Sequence, residues 1–292
     1  MTKTDIWMAA ALVMLGTVTN SCADDKKIAV VAAENFYGDV ARQIGGDRIS
    51  VTSILSNPDQ DPHLFETSPS VVRDIAAAQV IIQNGAQYDP WMDGLLKVTL
   101  KPDRVVIVAA DLMRKSAGDN PHLWYDPSTM PEVAKAVAAA FTAADPDHAN
   151  NYAARLESFL ASLRPLDAKI ASIRDNYADL AVTATEPVFG YMAATLHLTM
   201  LNQRFQLAVM NDTEPSAADV AAFERDLKTR KVRVLFYNKQ ALNNVVQHLL
   251  NLARKSNIPV VGVTETAPPG LSYQDWMLTQ LEATEKALAG KP

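Results

Sequence analysis

An α/β protein of two lobes, each a (β/α)4-like unit on a parallel sheet and joined by one long backbone helix, is what the sequence predicts. Three observations carry that expectation. From Lys27 onward, short runs rich in Val and Ile alternate with helical stretches, the signature of βα units and parallel sheets. Runs such as AVVAA (29–33), VIIQ (80–83) and VVIVAA (105–110) are continuously apolar, as strands covered on both faces are. Near the middle of the chain the pattern changes once, to a single long helix.

Taken in order, strands are expected at 27–33, 49–55, 80–85 and 104–110. Helices are expected from Asn35 to Ile44, from Ser68-Pro69 to Ala78 and from Tyr88 to Lys97. Ser68 with Pro69 behind it is a helix-start signal, because the missing proline N–H is one the first turn leaves unpaired anyway. Between Asp147 and Tyr177, the residues Tyr152, Leu156, Phe159, Leu160, Leu163, Leu166, Ile170 and Ile173 recur at steps of three and four. Pro165 falls inside that pattern and should interrupt it near Ser162, since proline has no N–H and crowds the preceding turn. Strands then resume as LAVTA (180–184), FQLAVM (205–210), VRVLFY (232–237) and IPVVGV (258–263), with helices around 187–197, 216–230, 241–256 and 273–289. The resulting division is a signal peptide (1–23), an N-terminal lobe (27–146), a linking helix (147–177) and a C-terminal lobe (178–292).

At 292 residues, with 48% hydrophobic and 21% charged residues, the chain has the make-up of a folded protein of about two domains. A formal net charge of −6 argues against nucleic acid, which needs clustered Lys and Arg. Ile6 to Val18 is an apolar run after Lys3, too short to span a bilayer and suited to the core of a secretory signal. Ser21-Cys22-Ala23 can serve as an ordinary cleavage site, or Cys22, the only cysteine, can carry a lipid. Both alternatives place the mature chain outside the cytoplasm, in the periplasm or anchored to the membrane by lipid.

Five histidines are present, and two have near-twin surroundings, Asp61-Pro62-His63 and Asn120-Pro121-His122. Each follows a strand and a short loop, at the carboxyl end of a parallel sheet where ligand sites form. On these grounds alone a metal site and a pair of solvated loop histidines both stay open. His148, His197 and His248 read as surface or packing residues.

The stretch DPHLFETSPS (61–70) resembles the first signature of the zinc and manganese solute-binding proteins of ABC importers, and NPHLWYDPSTMPEVAKAVAAAF (120–141) resembles the second. TEPVFGYMAATLHL (185–198), EPSAADVAAFERDLKTRKVRVLFYNKQ (214–240) and IPVVGVTET (258–266) are similar to later segments of that family in the same order. The resemblance implies four ligands, His63 and His122 from the N-terminal lobe and Glu186 and Glu265 from the C-terminal one, around one divalent transition-metal ion in the cleft. It implies an extracytoplasmic receptor that is not an enzyme, a monomer delivering its ion to a cognate ABC permease. The departures are Asn120 for the usual acid, Glu265 for the usual Asp, and no His-rich loop in DLMRKSAGD (111–119). Glu186 at the third position and the missing loop lean the expectation slightly from Zn2+ to Mn2+. A mononuclear metallohydrolase and a surface adhesin are the alternatives. The hydrolase would need an open coordination position that four protein ligands close. Asp126 is noted as a carboxylate able to orient a ligand histidine.

Overall fold

The computed structural model describes residues 27–59, 62–211 and 213–290, with the backbone alone for His63. The expected signal peptide and Cys22 lie outside the described residues. In the first half, β1 (Ile28–Glu34), α1 (Asn35–Gly45), β2 (Ile49–Leu55), α2 (Pro69–Ala77) and β3 (Val80–Gln83) come first. They are followed by α3 (Pro90–Val98), β4 (Val105–Val108), the short α4 (Ala109–Leu112) and α5 (Thr129–Ala144). All pairings are parallel and the strand order is β2-β1-β3-β4. Ser68 accepts a hydrogen bond from the Val71 N–H and Pro69 opens α2, as the sequence signal predicts.

The middle of the chain is helical in two pieces, α6 (Ala149–Ser162) and α7 (Arg164–Tyr177), meeting at Leu163. Leu163 keeps right-handed helical angles (φ −80°, ψ −15°), so the path is interrupted rather than turned back. Pro165 is the cause: it cannot donate to the preceding turn, and it sits in the first turn of α7, where no donor is required. α6 packs on α1 and α5 of the first sheet, whereas α7 packs on the last helix of the second half.

That second half runs β5 (Ala181–Ala184), α8 (Gly190–Thr195), β6 (Thr199–Leu201), α9 (Gln203–Met210) and α10 (Ala217–Lys228). It continues through β7 (Leu235–Asn238), α11 (Asn244–Lys255), β8 (Val260–Val263) and α12 (Tyr273–Ala289). Its strands are again parallel, in the order β6-β5-β7-β8, so both sheets follow one plan. One sequence expectation is corrected here: FQLAVM (205–210) belongs to helix α9, and the strand beside β5 is Thr199–Leu201. A six-residue apolar run fits a strand or a buried helical turn equally well. The slot beside β5 is already taken by β6, and α9 instead buries Phe205 against Phe223 of α10.

The two halves share one hydrophobic core. An aromatic chain crosses between them: Phe36 lies 4.8 Å from Trp124 and 5.8 Å from Trp276, and Tyr125 lies 5.4 Å from Phe189 and 5.8 Å from Trp276. Polar ties reinforce the seam. Asn35 and Ala267 exchange two hydrogen bonds of 2.7 and 3.0 Å, and the Tyr273 N–H donates to Asp39 at 2.8 Å. Swinging the lobes apart would expose these rings and strand these polar groups, so the fold resists a wide clamshell opening. Among the described residues no helix is long and apolar enough to cross a membrane.

Candidate metal centre

In each sheet the chain reverses its direction of growth at the central strand, between β1 and β3 and between β5 and β7, and crevices open at such points beyond the carboxyl ends of the strands. His122 follows β4 and α4, Glu186 comes two residues after β5, and Glu265 two residues after β8. The three side chains offer ligand atoms within 4.8 Å of one another, and all three residues are buried. His63 lies in the single 3-10 turn Pro62–Leu64, and its side chain is outside the described residues.

His122 is held from behind by Asn120. The Asn120 amide donates to the Pro187 carbonyl at 2.8 Å, which turns its Oδ1 towards His122, 2.6 Å from Nδ1. That acceptor fixes the proton on Nδ1 and leaves the Nε2 lone pair aimed into the cluster, the arrangement of a metal-ligating imidazole. Nε2 has no hydrogen-bond partner among the described residues and faces Glu265 Oε2 at 3.5 Å. Two acceptor atoms face each other here inside a buried site. The Trp124 and Tyr88 rings stand edge-on to the imidazole, at 5.3 and 6.1 Å between centroids.

Neither glutamate plays the ordinary role its position suggests. Glu186 precedes the 3-10 turn Pro187–Phe189 but makes no capping hydrogen bond to it, and its Oε2 accepts from the Asn238 amide at 2.8 Å. Glu265 is not a solvated loop acid: it is fully buried, its Oε1 accepts from the same Asn238 amide, and its N–H donates to Gln240 Oε1 at 2.6 Å. A cavity of about 490 Å³ lined by Leu64, Glu186, Met210, Gln240 and Leu242 reaches the site from outside.

Sequence reasoning missed several supporting residues. Asn120 supports His122, whereas Asp126 accepts from the Ser128 N–H and hydroxyl and does not orient it. The signal for Asn120 was its place two residues before the histidine. Asn238 carried a weaker one, as the polar residue closing an otherwise apolar strand. His148 pairs with Asp145, His248 with Glu224, and His197 is exposed in a turn, so these three stand apart from the cluster.

Beneath the N-terminal half of the site lies a second pair of acids. Glu34 closes β1 and is wholly buried beside Asp89, whose two oxygens accept the Asn84 and Gly85 N–H groups at 2.7 Å each. Gly85 occupies φ +76°, a conformation glycine adopts without strain. Asn84 in turn donates to the Pro121 carbonyl at 2.8 Å, next to His122. Burial, and then the neighbouring Asp89, push Glu34 well above the usual carboxylate range; burial outweighs the backbone donors and raises Asp89 to about 6. Both shifts are upward, so the folded protein keeps protons that the unfolded chain gives up. Their contribution to stability is complete below the ordinary carboxylate range and is lost as pH rises through the folded values, about 6 for Asp89. Glu34→Gln, which mimics the protonated acid, should therefore lose less stability than the parent chain between about pH 4 and about pH 8. Urea unfolding at the two pH values measures this, and identical pH slopes would mean that Glu34 is not held protonated.

Residues 30–287 match the family described as zinc-uptake complex component A, periplasmic. The chain belongs to this family. It is a metal-binding substrate receptor of an ABC uptake system and not an enzyme. It is 23% identical over 305 residues to the iron ABC transporter substrate-binding lipoprotein MtsA of Streptococcus pyogenes serotype M1, covering 97% of this chain and 95% of that one. The high-affinity zinc uptake system protein ZnuA of Bacillus subtilis is 24% identical over 298 residues, covering 94% and 92%. Among solved structures, the periplasmic zinc binding protein TroA from Treponema pallidum superposes with a TM-score of 0.77 at 19% identity, over 91% of this chain and all (100%) of that one. A manganese-bound periplasmic metal binding protein from candidatus liberibacter asiaticus gives 0.71 at 18% identity, over 90% and 100%. The structural likenesses support the α/β fold read from the sequence, and the family match supports the receptor reading over the hydrolase and adhesin alternatives.

Proposed function

We propose that His122, Glu186 and Glu265, with His63 as the fourth ligand, hold one divalent transition-metal ion, zinc or manganese, as cargo for a cognate ABC permease. The observation that carries this reading is the face-to-face approach of His122 Nε2 and Glu265 Oε2, 3.5 Å apart in a buried site. Two donors about 2.0–2.1 Å from one tetrahedral ion lie about 3.3–3.4 Å apart, so the spacing suits an ion between them. Two neutral imidazoles and two carboxylates cancel the charge of a dication, which matters where unpaired charge is costly. Residues 27–146 and 178–292 act as the two jaws and 147–177 as the tie between them. The mature chain works as a monomer outside the cytoplasm, released by cleavage after Ala23 or tethered through Cys22.

The relatives' names divide between zinc, manganese and iron, and the Glu186 carboxylate at the third position favours manganese. The general order of divalent affinities favours zinc in the test tube, so the cellular ion is a separate measurement from affinity. The mature chain, stripped of metal and titrated with Zn2+ and with Mn2+, should bind one equivalent with a change in the fluorescence of Trp124, whose ring lies 5.3 Å from His122. Elemental analysis of the protein drawn from its own host should find that ion at one per chain. Failure of both ions to saturate a single site would end this reading.

A further inference from the structure

We propose that Asn238 limits each carboxylate to one metal-facing oxygen, and so makes the site discriminate in favour of small four-coordinate divalent ions over larger ones. The inference rests on the reading of Glu186 and Glu265 as ligands. It begins with register. β7 lies between β5 and β8, with Ala184 level with Phe236 and Val263 level with Asn238. Carried two residues further along the same register, Glu186 comes level with Asn238 and Glu265 with Gln240. The last residue of β7 therefore stands between the two acids.

The amide has one way round. Asn238 Oδ1 accepts the Gln240 N–H at 3.0 Å, so Nδ2 must face the carboxylates. Nδ2 carries two hydrogens, and both are used: one goes to Glu186 Oε2 at 2.8 Å and one to Glu265 Oε1. Asn238 is 1% exposed, so water does not compete for those hydrogens. Gln240 locks the frame, accepting the Glu265 N–H and donating to the Thr266 hydroxyl at 3.2 Å.

Three properties of the site follow from this amide. It is neutral, so it draws the two acids together without cancelling the charge that attracts a dication, as a lysine there would. On Glu265 it engages a different side from the one turned to the imidazole, with Oε1 on the amide and Oε2 facing His122. Chelation of an ion through both oxygens of either glutamate would have to recruit the oxygen the amide already holds, turning it from that buried donor or sharing its electrons, at a cost of up to the hydrogen bond lost. One oxygen from each acid with two imidazole nitrogens makes a four-donor sphere, which suits zinc. Manganese favours more oxygen donors and accepts fewer only at a loss.

The test uses the mature chain with Asn238→Leu, which keeps the branched shape and removes both donors, and Asn238→Ala as a smaller second variant should the first not fold. Zn2+ and Mn2+ affinities are measured by competition, and Co2+ is added as a spectroscopic probe of coordination number. The expected result is a shift of the manganese-to-zinc affinity ratio towards manganese by about tenfold or more, the scale of a hydrogen bond to a charged group. The intense visible absorption of tetrahedral Co2+ should weaken in the same variants. A ratio and a Co2+ spectrum that stay as in the parent chain overturn the proposal, and so does an equal loss of affinity for both ions. Glu186→Ala and Glu265→Ala are run in parallel. If they bind zinc like the parent chain, the ligand reading itself is wrong; if they weaken it while the Asn238 ratio does not move, only the Asn238 inference falls.

Discussion

His122→Ala is expected to lower zinc and manganese affinity by well more than the roughly 10–100-fold that a lost supporting hydrogen bond costs a metal site. The imidazole supplies the nitrogen aimed into the cluster, and its removal leaves Glu186 and Glu265 facing each other without that donor. Asn120→Ala should fall inside the supporting range, because the ring stays but loses the acceptor 2.6 Å from Nδ1 that sets its tautomer. Thermal unfolding reads both variants at once. A ligand at a thousandfold excess over Kd stabilises the folded state by about 4 kcal/mol, so metal should raise the melting temperature of the parent chain and leave that of His122→Ala nearly unmoved. A full metal-induced shift in His122→Ala would remove this residue from the ligand set.

Trp276→Ala should be the most damaging change away from the metal. The ring is fully buried on α12 and touches Phe36 from the first half and Tyr125 from the segment that follows His122. Deleting a buried tryptophan costs about 3–5 kcal/mol, a large part of the ~5–15 kcal/mol that holds an ordinary domain together. The cavity would lie in the seam between the lobes, next to the Tyr125 hydroxyl that donates to the Thr264 carbonyl at 2.9 Å. Thr264 adjoins Glu265, so metal affinity should fall as well, although no ligand is altered. Urea unfolding and metal titration of the variant check the two effects. A stability loss below about 1 kcal/mol would mean that the lobes do not depend on this shared core.

The sequence by itself determined the alternating βα plan, the interruption near Ser162 caused by Pro165, the start of α2 at Ser68-Pro69, and the span of α12. The two breaks are written in a few residues through the backbone demands of proline, and the βα plan and α12 in local side-chain period. Resemblance added His122, Glu186 and Glu265 as one group, and the fold brings those three together. Tertiary structure alone decided the rest. FQLAVM is apolar enough for either a strand or a helix, and only the occupancy of the edge beside β5 by Thr199–Leu201 settles that it is helical. The hydrogen bonds that support the site join Asn120 to Pro187, Asn238 to Glu186 and Asn238 to Glu265, across 67, 52 and 27 residues of chain. A polar residue in a loop looks the same in sequence whether it faces water or a buried carboxylate. Its partner is set by how two sheets pack, because burial is what turns an ordinary amide into the donor that two acids cannot do without.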